Sequence, residues 1–443
     1  MSLERKLRSR MLNIICSPRT RKLRRLLTEK RRRLTRQPHV VSVFLQLDEP
    51  YSYILSYYLT SLKSHYDIEL RLYLSQARGA EFQPAPELLA EYAVADCARL
   101  ARELSIPFLD KGGYPPTEYR VGLSDAVAAS GEQSDAELLR ALAIFWRGDS
   151  EAASRMSVTA SSGGKSAAVI DRAQQLQRKL GHYNSAMLHY GGEWYWGVDR
   201  LHYLTNRLDE LGAANGDTQH PLLASIRQAM KISLPVKPPA AARDLPAIEF
   251  FYSLRSPYSY LLLQRIYEIA DAFGVELNLR LILPMVMRGM QVPRSKLLYI
   301  AMDAAREADR LGIVFGKLAD PVGSGVERCL AVYQYAQSEN RGREFLLNAG
   351  TAIWGQGIDV ATDTGMRKVT GRTGLFWPGV KAAMKSDDWR ESVEANRESM
   401  MDSGSWGVPT MHMGDFVAWG QDRDWLLVRH IEELCDTGDG ILV

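Results

Sequence analysis

The chain is poor in cysteine. Cys16, Cys97, Cys329 and Cys435 are its four, spread over 443 residues, and no two form a C-x-x-C pair. This excludes a dithiol redox motif and a cysteine-rich zinc site, and it argues against a disulfide-stapled secreted fold. Long hydrophobic runs are missing too. Nothing approaches the roughly 20 apolar residues of a membrane-spanning helix. No charged-then-apolar secretory leader is read, so a reducing cytoplasm is the expected setting and no metal site is expected. Apolar and charged residues are present in ordinary amounts, 46% and 24%. That is enough for two or three buried cores.

Acidic residues are scarce at the start. Residues 1–37 hold 14 Lys/Arg against Glu4 and Glu29, in a chain whose total charge is +3. Leu3, Leu7, Leu23, Leu26, Leu27 and Leu34 give this stretch partial helical periodicity. Residues 1–38 therefore read as a basic extension. It is an arm for anionic lipid or nucleic acid, an Arg-rich organelle presequence, or a solvated tail.

The remainder repeats itself. Phe44–Tyr53 aligns with Phe251–Tyr260 at an offset of 207, and Ile68, Leu70 and Leu72 fall on Val275, Leu277 and Leu279. The same register carries Pro86, Tyr92, Asp96 and Arg99 onto Pro293, Tyr299, Asp303 and Arg306. Near the ends, Trp196-Gly-Val-Asp-Arg200 meets Trp419-Gly-Gln-Asp-Arg423 at an offset of 223. A tandem duplication is the expected origin. The copies span 39–230 and 248–443, joined by a Pro/Ala-rich linker at 231–247.

Each copy reads as strand, helix, alternating strand, a long helical stretch, hairpin and closing helix. In the second copy the first strand covers Ile248–Leu254. Its helix opens at Pro257, where a missing N–H costs nothing, and stops at Gly274. Thr410–Met413 and Phe416–Trp419 form a hairpin around Gly414-Asp415, followed by a helix from about Gln421 to Leu434. This order predicts an α/β protein with two tandem thioredoxin-like domains, each carrying a large helical insertion.

Three motifs carry chemistry. Ser256-Pro-Tyr-Ser259 sits at a strand-to-helix junction, where a helix N-terminus stabilises an anion such as a thiolate. Ser256 reads either as an N-cap or as a hydroxyl that holds a bound thiol. Gly407-Val408-Pro409-Thr410 precedes the hairpin and predicts a cis Val408–Pro409 bond, with no counterpart at Ala186. Gln421-Asp422 opens the last helix, where Asp422 is a first-turn carboxylate or a ligand for an ammonium group. Lys296 reads as a surface lysine or a carboxylate ligand, and Asp303 with Arg306 as a structural ion pair.

Together these motifs resemble the glutathione-using branch of the DsbA-like thioredoxin superfamily. That branch holds the 2-hydroxychromene-2-carboxylate isomerases and the kappa-class glutathione transferases. The resemblance implies that glutathione is the cofactor, with Ser256 as the catalytic residue at its sulfur. It implies Val408 and Pro409 beside the cysteinyl backbone, Gln421 and Asp422 at the γ-glutamyl end, and Lys296 at the glycyl carboxylate. The implied function is isomerisation or transfer on a small aromatic electrophile. The first copy has Glu49, Leu89 and Ala186 where the second has Ser256, Lys296 and Pro409. It is expected to be degenerate, and an intrachain pseudo-dimer of the two copies is expected. The rival expectations are a non-catalytic scaffold tethered by the basic arm and, more distantly, a thiol-disulfide oxidoreductase.

Overall fold

The computed structural model describes every residue except 1–2, 77–78, 80–81, 110–114, 116–117, 132–133, 159–164, 217–220 and 439–443. It divides into two compact units. The first is Leu23–Lys231; the second is Ile232–Val443 together with Met1–Lys22. Each is a mixed α/β structure built on one four-stranded sheet.

The first sheet contains β1 (Val40–Leu45), β2 (Glu69–Leu74), β3 (Met187–Tyr190) and β4 (Glu193–Trp196), in the order β2-β1-β3-β4. The second contains β5 (Ile248–Tyr252), β6 (Leu277–Leu281), β7 (Thr410–Met413) and β8 (Phe416–Trp419), in the order β6-β5-β7-β8. In both, the first pair is parallel and the other two are antiparallel. A parallel pair needs a crossover, which the Pro50–His65 and Pro257–Phe273 helices provide. The central strands β1 and β5 are buried along nearly their whole length, whereas the edge strands β2 and β6 are largely part-exposed.

Local chemistry sets the element ends. The Pro257 helix stops at Gly274, whose φ of 70° is left-handed and whose N–H bonds the Ala270 carbonyl. Glycine adopts that conformation without a Cβ penalty. β5 ends at Tyr252, earlier than the expected Leu254, and β1 ends at Leu45, two residues before the matching Leu47; the same contact follows in both units. The Trp146 indole donates to the Leu47 carbonyl at 2.9 Å, and the Trp354 indole to the Leu254 carbonyl at 3.2 Å. Those carbonyls satisfy a ring instead of a ladder. The closing helix starts at Asp424, not Gln421, because Gly420 has φ 116° and breaks the approach.

Other side-chain contacts also recur at the 207 offset. Tyr51 donates to Asp96 and Tyr258 to Asp303, each at 2.8 Å. Tyr53 bonds the Pro107 carbonyl, and Tyr260 the Val314 carbonyl. Phe108 stacks on Trp146 as Phe315 stacks on Trp354, the tryptophans lying one residue off that register.

The basic extension is helical over Leu3–Cys16 and Pro18–Leu34. Within the second unit, Leu12 and Cys16 are buried against Ala301, Ala305 and Leu318. Asn13 Oδ1 accepts the Leu318 N–H at 2.7 Å, and Arg21 pairs with Asp309. This part of the extension is built into a core, a role that Leu12 and Cys16, four residues apart on one face, perform.

Candidate functional site

Ser256 caps the Pro257–Phe273 helix from an extended backbone, φ −96° and ψ 115°. Its Oγ accepts the Ser259 N–H at 3.1 Å and donates to the Val408 carbonyl at 3.4 Å. The second bond is long and spans 152 residues of chain. The Val408–Pro409 bond is cis, as the sequence predicts. Among the described residues it is the one cis peptide, and Ala186 instead has φ 54°.

The platform is fixed from both sides. Thr410 Oγ1 donates to the Gly407 carbonyl at 2.7 Å and lies 2.8 Å from Ser405 Oγ. Trp406 and Trp419 pack with ring centroids 4.9 Å apart, and a Cβ at Gly407 would lie 2.8 Å from Trp419 Nε1. The Pro409 carbonyl then accepts the Gly420 N–H at 2.9 Å. Gly420 has φ 116°, a backbone conformation that favours glycine, and a Cβ there would stand 2.6 Å from Asp422 Oδ1. One continuous path thus joins Ser256, Val408, Pro409, Gly420 and Asp422. The Asp422 side chain is 26% exposed, with Arg423 Nη1 at 3.8 Å.

Gln421 faces the other way. It is 1% exposed; its Nε2 donates to Glu307 Oε2 at 2.9 Å and its Oε1 accepts from Arg265 at 3.2 Å. Its side-chain amide is engaged inside the protein and does not present itself at the surface beside Asp422. Glu307 also accepts from Arg310 at 2.8 Å, and Arg265 pairs with buried Asp424. Burial lowers the Arg265 guanidinium to about 10, still charged at neutral pH.

Lys296 stands in the first turn of the Arg294–Leu311 helix, and burial holds its ammonium below the usual lysine value. Two turns further along, about 10 Å, Asp303 receives the Tyr258 hydroxyl and pairs with Arg306 at 2.6 Å. The Asp303–Arg306 pair is the structural one expected. It ties the Lys296 helix to the residue two after Ser256.

Sequence reasoning missed the Arg265–Gln421–Glu307–Asp424 network. Its signal was the other copy, where the matching positions are Tyr58, Val198, Leu100 and Leu201. It also missed Arg255, which holds Asp320 at 2.7 and 3.0 Å immediately before the cap. All four cysteines are buried and none is in a disulfide. Among the described residues, no cluster of His, Cys, Asp or Glu has metal-site geometry, and no helix is long and apolar enough to cross a membrane.

In the first unit the cap residue is Glu49, which accepts the N–H and the hydroxyl of Ser52, each at 2.7 Å. Burial pushes its carboxyl group up to about 7.

Sheet order, helix-capping serine and cis-proline platform meet in the second unit. Residues 247–432, somewhat less than half of the chain, match the model of the DSBA-like thioredoxin domain. The chain is similar to 2-hydroxychromene-2-carboxylate isomerase of Pseudomonas putida, 24% identical over 42% of this chain and 95% of that protein. It is likewise 24% identical to the isomerase of the same name from Pseudomonas sp. (strain C18), over 41% of this chain and 87% of the relative. A solved structure of 2-hydroxychromene-2-carboxylate isomerase matches with a TM-score of 0.38 and 24% identity, over 44% of this chain and all of that one.

Proposed function

We propose that the domain at 248–443 is a glutathione-dependent isomerase or transferase acting on a small aromatic electrophile, with 2-hydroxychromene-2-carboxylate the leading candidate. We propose further that the two units descend from a tandem duplication of one thioredoxin-like domain and that the first is non-catalytic. The observation that carries the functional reading is the junction of Ser256 Oγ with the Val408 carbonyl before Pro409, linked through Gly420 to Asp422.

The donor set fits the tripeptide. A hydroxyl at a helix start suits a thiol or thiolate, a strand-edge carbonyl suits an amide N–H, a carboxylate suits an ammonium, and a lysine suits a carboxylate. Glutathione, when bound, supplies a polarisable nucleophile for a conjugated carbonyl compound. Ser256 donates its proton toward the sulfur in place of the long bond to Val408, and the helix N-terminus favours the charged form. Val408 offers its backbone to the cysteinyl residue, Asp422 holds the γ-glutamyl ammonium and Lys296 the glycyl carboxylate. Gln421 acts from behind, holding the Gly420–Asp422 loop through Glu307 and Arg265. In the first unit the Glu49 carboxyl group occupies the cap, and its negative form opposes a thiolate.

Titration calorimetry with glutathione tests this directly. Binding at one site per chain, with isomerisation of 2-hydroxychromene-2-carboxylate that requires glutathione, is the expected result. No binding refutes the reading, and two sites per chain refute the silence of the first unit.

A further inference from the structure

The Pro18–Leu34 helix has its polarity inverted from Leu23 onward. Leu23, Leu26, Leu27 and Leu34 are 55%, 64%, 57% and 75% exposed, although surface helices ordinarily turn such a stripe toward a core. At 3.6 residues per turn, Leu23, Leu27 and Leu34 fall on one face and Leu26 lies beside them. Lys30 is exposed within that face, and Arg24, Arg31 and Arg33 rim it. The polar side faces the protein. Arg25 donates to both Glu193 carboxylate oxygens at 2.8 and 2.7 Å. Arg32 bonds Glu29 and the Gln37 carbonyl, at 2.9, 2.8 and 2.8 Å. The Arg25–Glu193 pair ties the helix to the rest of its unit while its leucines are exposed.

We propose that the Leu23–Leu34 face docks on an anionic membrane surface. Charge complementarity selects this occupant. An interfacial helix sinks an apolar stripe into the headgroup–acyl boundary while rimming cations meet anionic headgroups, and this face carries both parts. Nucleic acid would use the arginines but leaves four exposed leucines with nothing to bury against, because its surface is a phosphate backbone. Glu29 is the one acidic residue of the segment, and it is taken up by Arg32 and Arg33. Lys30 and Arg31 stay exposed on and beside the leucine face. The docking is peripheral, since the stripe is far too short to span a bilayer.

Flotation of the full-length protein with phosphatidylcholine vesicles, with and without phosphatidylglycerol, tests the proposal. Binding to the anionic vesicles alone is expected, weakening as salt rises. A variant with Leu23, Leu26, Leu27 and Leu34 replaced by Gln should bind at least about tenfold more weakly with unchanged circular dichroism and melting. Replacing Lys30 and Arg31 by Gln should cost about fivefold per charge. Equal binding to neutral vesicles, or wild-type binding by the leucine variant, overturns the proposal. So does salt-sensitive duplex DNA or RNA binding that survives loss of the leucines without any flotation. A dimer in light scattering that the leucine variant abolishes, again without flotation, overturns it in favour of a second copy of the chain.

Discussion

Position for position, the two units solve one packing problem in opposite ways. Tyr58, Leu100, Val198 and Leu201 are 0%, 0%, 3% and 1% exposed, and all but Leu100 belong to one apolar core cluster of the first unit. The matching positions in the second unit are Arg265, Glu307, Gln421 and Asp424, joined by two hydrogen bonds and an ion pair. Buried charges cost several kcal/mol each in desolvation, and apolar replacements are often neutral or stabilising. The first unit demonstrates that this sheet and its helices close without them. The charged quartet therefore answers a need other than folding, and it lies directly behind the loop that presents Asp422.

Breaking the quartet should give the largest effect. Glu307→Leu leaves Arg310 and Gln421 short of an acceptor, and chemical denaturation should show a loss of about 3–5 kcal/mol. Installing the first unit's whole solution, Arg265→Tyr with Glu307→Leu, Gln421→Val and Asp424→Leu, should restore stability to within about 1 kcal/mol of the parent or exceed it. Glutathione affinity, read by calorimetry, should fall in the quadruple variant despite that stability. A quadruple variant as unstable as the single one would show that the two cores are not interchangeable.

The cap residues sharpen the contrast next. On the proposed function, Ser256→Ala would remove the hydroxyl proposed to meet the sulfur, so turnover should drop by about 10- to 100-fold while glutathione binding stays within about tenfold. It also deletes a cap worth about 1 kcal/mol, so melting is measured alongside. A variant that melts earlier but turns over normally would reduce Ser256 to a cap.

Much of this frame was readable in the chain, because it rests on local rules. The hairpin at Thr410–Trp419, the helix start at Pro257 and its stop at Gly274 follow from turn glycines and from proline's missing N–H. The Asp303–Arg306 pair follows from helical spacing. What could not be read depends on partners far away in sequence. The early strand ends depend on Trp146 and Trp354, about 100 residues off. The inward turn of Gln421 depends on Glu307 and Arg265, 114 and 156 residues away. A motif names a residue, but the direction of its side chain is decided by whichever buried charge reaches it first.

Glu49 offers a pH test confined to the first unit. Its folded-state carboxyl group titrates near 7 against an ordinary 4.5, so the folded unit binds the proton more tightly than the unfolded chain. That contribution is fully present below about 4.5 and is lost as pH rises toward 7. Melting of the first unit should decline across that window by about 1–3 kcal/mol. Glu49→Gln keeps an oxygen for the Ser52 N–H and should flatten the decline. An unchanged slope would assign it to another group.

The smallest effect concerns the residue before each cap, where the charge is reversed. Asp48 pairs with Arg120 at 2.8 Å in the first unit, and Arg255 occupies the matching position and pairs with Asp320 in the second. The first pair is the more exposed, 23% and 42% against 16% and 12%, so water screens it more strongly. Asp48→Ala should cost a few tenths of a kcal/mol and Arg255→Ala about 1, with both differences shrinking in high salt. Arg255→Asp alone sets two carboxylates together and should cost more than Arg255→Ala. Adding Asp320→Arg reinstates the first unit's polarity and should recover most of that loss. Failure of the swap would mean that Asp320 is kept for its second bond, from the Val322 N–H at 3.2 Å, and not for the sign of its charge.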